Sequence, residues 1–214
     1  TTLSYNDDWL EAFLDYDLDI DKYNTVNMSI FKYFKLLFKY DYIILLHSTN
    51  SNGFSLNRFI LKSNFLKYVK AKVLLFVGNE FKLMPQKVNF INKNKIAFII
   101  SQLPQDTAEW LYKHTNSKII SLPHALNNKV FNHTTDLADR EIDIGNRSYE
   151  YPQYLGDIER QSTLEFLDTI NSKFNLDIST DPNKRFNRIQ WAEFLNSCKF
   201  TIATEAGSSY LERD

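Results

Sequence analysis

Short, almost wholly apolar runs recur along this chain, and they limit what it can fold into. They are Ile43–Leu46, Val73–Val77, Ile96–Ile100 and Lys118–Leu122. A strand that buries one face alternates apolar and polar residues, whereas a strand apolar at successive positions buries both. The second pattern is the habit of parallel sheets. Between the runs the apolar spacing changes to that of helices. Ile30, Phe34, Leu37 and Phe38 share one helical face, and Phe59, Ile60, Leu66 and Val69 mark a helix over about 57–69. Further helices are expected over about 84–92 and over Asp106–Lys113, with Trp110 and Leu111 apolar. Strand and helix in alternation predict a parallel α/β sheet covered on both faces.

Residues 132–140 are polar and without period, after which the alternation restarts. Ile142 and Ile144 open a strand, and Leu164, Leu167, Ile170 and Phe174 are in helical phase. A strand near Leu176–Ile178, a turn at Thr180–Asn183 and a helix through Trp191, Phe194, Leu195 and Cys198 lead to a last strand, Phe200–Ala203. The expected fold is therefore α/β with two Rossmann-like parallel-sheet domains. The first spans 1–133, a linker 134–140, and a truncated second domain 141–214. Leu18 and Ile20, alternating with Asp17, Asp19 and Asp21, predict a weak edge strand. The chain begins Thr-Thr and stops at Arg213-Asp214, where a helix would be starting, so it is expected to be a piece of something longer.

A net charge of −1 excludes a generic electrostatic binder of nucleic acid, which carries a large basic excess. The single cysteine, Cys198, cannot form an internal disulfide, which fits a reducing compartment and a cytoplasmic location. No apolar stretch approaches the roughly 20 residues of a membrane-spanning helix. Lys32, Lys35 and Lys39 lie on one face of the Phe-rich helix. Such a face is either solvated, above a helix packed on a sheet, or rests on an anionic membrane.

Only five glycines are present. Gly78, Gly145 and Gly207 are each expected at or just past the carboxyl end of a strand, where α/β sheets bind ligands and glycine lets backbone approach them. Gly145 is followed by Asn146-Arg147-Ser148, a guanidinium suited to a phosphate or diphosphate. Gly207 stands between Glu205 and the pair Ser208 and Ser209, a carboxylate for sugar hydroxyls and amides for phosphate. An ordinary strand-to-helix turn with a serine cap is the plainer reading of that stretch. The standard dinucleotide and nucleoside-triphosphate loops are absent.

With these segments in order, the chain resembles the GT-B glycosyltransferases, especially the bacterial group related to spore-maturation glycosyltransferases. Ser121–Asn127 with Phe131 resembles the passage that leaves the first domain, and Glu141–Arg147 the opening strand and loop of the second. Trp191–Lys199 is similar to the helix before the donor loop, and Thr204–Arg213 to the donor loop itself. The resemblance implies a nucleotide-diphospho-sugar donor on the second domain, an acceptor (carbohydrate, lipid or protein) on the first, and no bound metal or other cofactor. It makes Gly145, Arg147, Glu205, Gly207, Ser208 and Ser209 donor-binding residues.

His47, Glu80 and Gln102 each follow a strand of the first domain and so can line an acceptor site. His47 and Glu80 are of the right type for a general base, and Glu205 joins them as a catalytic candidate. The hinge residue His124 either touches substrate or stabilises the crossing. No His, Cys or Asp cluster has metal-ligand spacing. The alternatives to a transferase are a nucleotide-sugar epimerase or hydrolase of the same fold, and a non-catalytic Rossmann-like binding module.

Overall fold

The apolar runs form strands that pair in two separate parallel sheets. The structure, a computed structural model, describes residues 4–24, 28–123, 126–148 and 159–203. The described residues fall into two compact units, one up to residue 123 and one from 126.

In the first unit the order is α1 (Ser4–Phe13), α2 (Ile30–Phe38), β1 (Tyr42–Leu45), α3 (Gly53–Lys62), β2 (Lys72–Phe76), α4 (Met84–Asn94), β3 (Phe98–Ser101), α5 (Gln105–Leu111) and β4 (Lys118–Ser121). The strands lie in sequence order, all parallel. With the right-handed crossovers such units adopt, this order sends α3, α4 and α5 to one face. The core agrees: Ile43, Leu45, Val73, Leu75 and Ile99 pack with Phe59, Phe90, Ile91 and Leu111. The opposite face is not covered throughout, contrary to the sequence expectation. Trp9 of α1 sits edge-on to Phe76 at 4.8 Å, yet Tyr42 and Ile44 are exposed.

Local chemistry sets the helix ends. The helix expected over 57–69 begins earlier, at Gly53, because Asn52 accepts the Ser55 amide at 2.9 Å as its cap. It stops at Ser63, whose hydroxyl turns back onto the Ile60 carbonyl, and a 3-10 turn follows over Asn64–Tyr68. Pro85 sits in the first turn of α4, where its missing amide hydrogen costs nothing. Leu18–Asp21 does not pair as a strand: Asp21 instead accepts from Lys39 at 2.7 Å.

The second unit orders as β5 (Ile142–Arg147), α6 (Glu159–Thr169), β6 (Leu176–Ser179), α7 (Arg188–Ser197) and β7 (Cys198–Thr201). β5 is central, paired in parallel with both others. A reciprocal cap opens α7, in which Asn187 accepts the Gln190 amide and Gln190 accepts the Asn187 amide, each at 3.0 Å. The polar stretch 134–140 is bonded to this unit. Thr134 N–H donates to Asn196 at 2.9 Å, and the Arg140 guanidinium donates to the carbonyls of Thr135 (3.0 Å) and Cys198 (2.8 Å).

Candidate functional site

In both units polar residues stand at or just past the carboxyl ends of the strands, and each edge is built differently. In the first unit a connected network runs across the carboxyl ends of β1, β2 and β3. Asn50, buried just past β1, donates to the Phe76 carbonyl and accepts the Gly78 amide, both at 2.9 Å. It thereby fixes the point where the chain leaves β2. Gly78 fits closely there, since a Cβ would stand 3.3 Å from Ser51 Cβ and 3.4 Å from His47 Cβ. The next residue, Asn79, takes the left-handed conformation (φ 52°) that asparagine tolerates.

That turn delivers Glu80 inward. Its side chain accepts from Ser101 Oγ (2.7 Å), Tyr112 Oη (2.8 Å) and the Gln102 amide (3.2 Å), and the residue is 7% exposed. Burial pushes its carboxyl above the usual range, while these donors and the charge of Lys87 pull the other way. Tyr112, buried against this carboxylate, is held well above the ordinary tyrosine value. Lys87, on the inner side of α4 and 1% exposed, donates to the carbonyls of Gly78 (2.5 Å) and Asn79 (2.8 Å). Burial pushes its ammonium down to about 8, with Glu80 opposing.

Lys87 gives the fold a pH dependence whose sign is fixed. Its native value is about 8, and in the unfolded chain it returns to about 10.4. Between these the unfolded chain binds a proton that the native chain has released, so stability rises with pH across the window. Denaturant unfolding should show a gain of about 2 kcal/mol between about pH 8 and 10, absent from Lys87→Met. Equal slopes in the two proteins would contradict this assignment.

His47 is buried, its ring 5.7 Å from the rings of both Trp9 and Phe76. Gln102 donates to the Val77 carbonyl at 3.3 Å while its amide serves Glu80. The structure thus brings Glu80 and Gln102 into one network at this edge. The same network contains Asn50, Lys87, Ser101 and Tyr112, none of which the sequence reading had singled out. Its chemistry is that of a rigid scaffold, since both Glu80 oxygens already accept internal hydrogen bonds.

In the second unit the carboxyl end of β5 is tied to its neighbours. Asn146 donates to the Ile202 carbonyl at 2.7 Å, and Ser148 N–H donates to the Ser179 carbonyl at 3.2 Å. Gly145 stands inside β5, not past its end, opposite Asp177 and Thr201. It is needed for packing, since a Cβ there would lie 2.3 Å from Cys198 Sγ and 2.6 Å from Phe194 Cζ. The Arg147 guanidinium pairs with the Asp177 carboxylate and donates to the Asp177 carbonyl at 3.0 Å. It lies over the rings of Phe186 and Phe194, at 4.9 and 5.0 Å. Through these contacts the group expected to meet a diphosphate joins β5, β6 and α7.

Along β5 and β7 runs an open hollow of about 470 Å³, lined by Asp143, Ile144, Phe174, Phe200, Thr201 and Ile202. Asp143 is held by Lys199 at 2.8 Å and by the Asn175 amide, which lowers its carboxyl from the usual value and leaves the lining mainly apolar. Burial raises the Cys198 thiol, consistent with a packing role.

His124, Glu205, Gly207, Ser208 and Ser209 lie outside the described residues. Among the described residues no group of His, Cys, Asp or Glu can hold a metal ion, and no helix is long and apolar enough to cross a membrane. Compared with family models, with curated proteins and with solved structures, the chain matches none.

Proposed function

We propose that this chain is a nucleotide-sugar-dependent glycosyltransferase, or part of one, that moves a sugar from a nucleoside-diphospho donor to a carbohydrate, lipid or protein acceptor. The observation that carries the reading is where β7 ends. The stretch Thr204-Glu-Ala-Gly-Ser-Ser209 follows in sequence on β7, a parallel strand that ends at Thr201, and the carbonyl of Ile202 just past that end is held by Asn146. In α/β sheets that is where ligands bind. Two separate parallel-sheet units, one for each substrate, are also what the GT-B arrangement requires.

In this mechanism the amides around Gly207 stabilise charge on the leaving diphosphate, and Glu205 accepts hydrogen bonds from donor ribose or sugar hydroxyls. Arg147 acts as a positioning residue that fixes the carboxyl end of β5 against β6. On the acceptor side Glu80 and Gln102 hold the shape of the edge. His47, packed beside the Trp9 and Phe76 rings, has the chemistry of a general base and awaits an acceptor pose that reaches it.

The test is stabilisation by ligand. A hundredfold excess of the matching uridine, guanosine or deoxythymidine diphosphate over its Kd should stabilise the chain by about 2.7 kcal/mol, read as a rise in Tm. Incubation with the corresponding sugar nucleotide and analysis of the products then separates transfer from epimerisation or hydrolysis. Absence of any shift with all three nucleotides would sink the reading in favour of a binding module for another partner.

A further inference from the structure

Helix α2 turns unusual residues outward. Leu36 enters the core and Tyr33 meets the Phe65 ring at 4.8 Å, which fixes the inner side of the helix. The outer side carries Phe31, Phe34 and Phe38, which are 78%, 59% and 69% exposed. Lys32 and Lys35, also exposed, lie on the adjoining stripe of the helix, and exposed Lys39 follows at its end. A helix that merely packs on a sheet puts its aromatic rings inward and only its charges outward. Here rings and ammonium groups share one surface, so whatever covers it has to satisfy both.

The cations are arranged accordingly. Lys39, at the end of the helix, is paired with Asp21 at 2.7 Å. Lys32 lies 5.9 Å from the Tyr23 ring, and Lys70 lies 5.8 Å from the exposed ring of Phe38. A protein partner that buried the phenylalanines would also desolvate the neighbouring ammonium groups, at high cost unless each met a counter-charge. A nucleic-acid binder carries a large basic excess, which a chain of net charge −1 lacks. The headgroup boundary of an anionic bilayer satisfies both, because rings enter the acyl edge while lysine stems reach back to lipid phosphates.

We propose that the outer face of α2 docks this chain reversibly on an anionic lipid surface. The proposal rests on that surface alone and does not depend on the transferase reading. Docking presents the first unit to acceptors held in or on a membrane.

Vesicle flotation of the full chain tests it, with phosphatidylcholine vesicles against vesicles containing roughly one third phosphatidylglycerol. The wild type should float with the anionic vesicles, less at high salt, and remain unbound with the neutral ones. Lys32→Gln with Lys35→Gln should weaken partition roughly thirtyfold, since each lysine near such a surface is worth about a factor of five. Phe31→Ser with Phe34→Ser, both on exposed positions, should keep the wild-type Tm and lose flotation. Wild type that stays unbound, binding equal on both lipids, or variants that float like wild type would each overturn the proposal. So would self-association through this face, seen as a wild-type oligomer that the serine variant dissolves without any vesicle binding.

Discussion

Replacing Gly145 by alanine is expected to destabilise the chain by about 3 kcal/mol, at the upper end of the cost of forcing atoms into a packed interior. The added Cβ would stand 2.3 Å from Cys198 Sγ and 2.6 Å from Phe194 Cζ, distances that side chains do not tolerate. Neither neighbour yields easily, since Cys198 begins β7 and Phe194 is buried within α7. Relief requires β5 to move away from both, which would also part Asn146 from the Ile202 carbonyl. A double change distinguishes this mechanism from a general loss of stability. Gly145→Ala combined with Cys198→Ala should cost less than the sum of the single changes, by about 1–2 kcal/mol, because the sulfur is the nearer obstacle. Gly145→Ala as stable as wild type in denaturant unfolding would show that β5 does not approach α7 this closely.

Glu80→Leu should cost more, about 4 kcal/mol. It would strip Ser101, Tyr112 and the Gln102 amide of their shared acceptor and remove the carboxylate that offsets the buried ammonium of Lys87. Glu80→Gln separates hydrogen bonding from charge. Its carbonyl oxygen can still accept from Ser101 and Tyr112, but its amide would face the Gln102 N–H, donor against donor. A loss of about 2 kcal/mol is expected for that variant. If Glu80 were instead poised for proton transfer, Glu80→Gln would leave stability nearly unchanged and abolish turnover. Equal stability of wild type and Glu80→Gln would therefore contradict the scaffold role.

The first sheet was legible because apolar length alone specifies it. The runs at 43–46, 73–77, 96–100 and 118–122 match strands to within a residue or two, since each strand buries alternate residues against a helix layer. β5 was read short because its apolar signal ends at Ile144. Pairing with β6 carries the strand on to Arg147, and β7 pairs with it as far as Gly145, which moved that glycine from an expected loop into a sheet. The network around Glu80 was harder to see. Asn50 is buried only because two backbone groups of β2 need it, and no periodicity records that need. Lys87 did leave a trace, for it is in helical phase with Met84, Phe90 and Ile91, all buried. A lysine on the apolar side of a helix marks a buried polar partner, here the two carbonyls of the turn before Glu80. The alternation around Leu18 and Ile20 misled because, among the described residues, no strand edge takes it up.

Calorimetric titration with uridine-, guanosine- and deoxythymidine-diphospho-sugars, on wild type and Glu205→Gln, bears most directly on the proposal that the stretch after β7 takes a sugar donor. Saturable binding of one of the three is expected. Glu205→Gln, unfolding like wild type, should lose about 1.5–3 kcal/mol of that binding, the range for hydrogen bonds to a charged group. No binding by the wild type, or the same affinity in both proteins, would contradict the assignment.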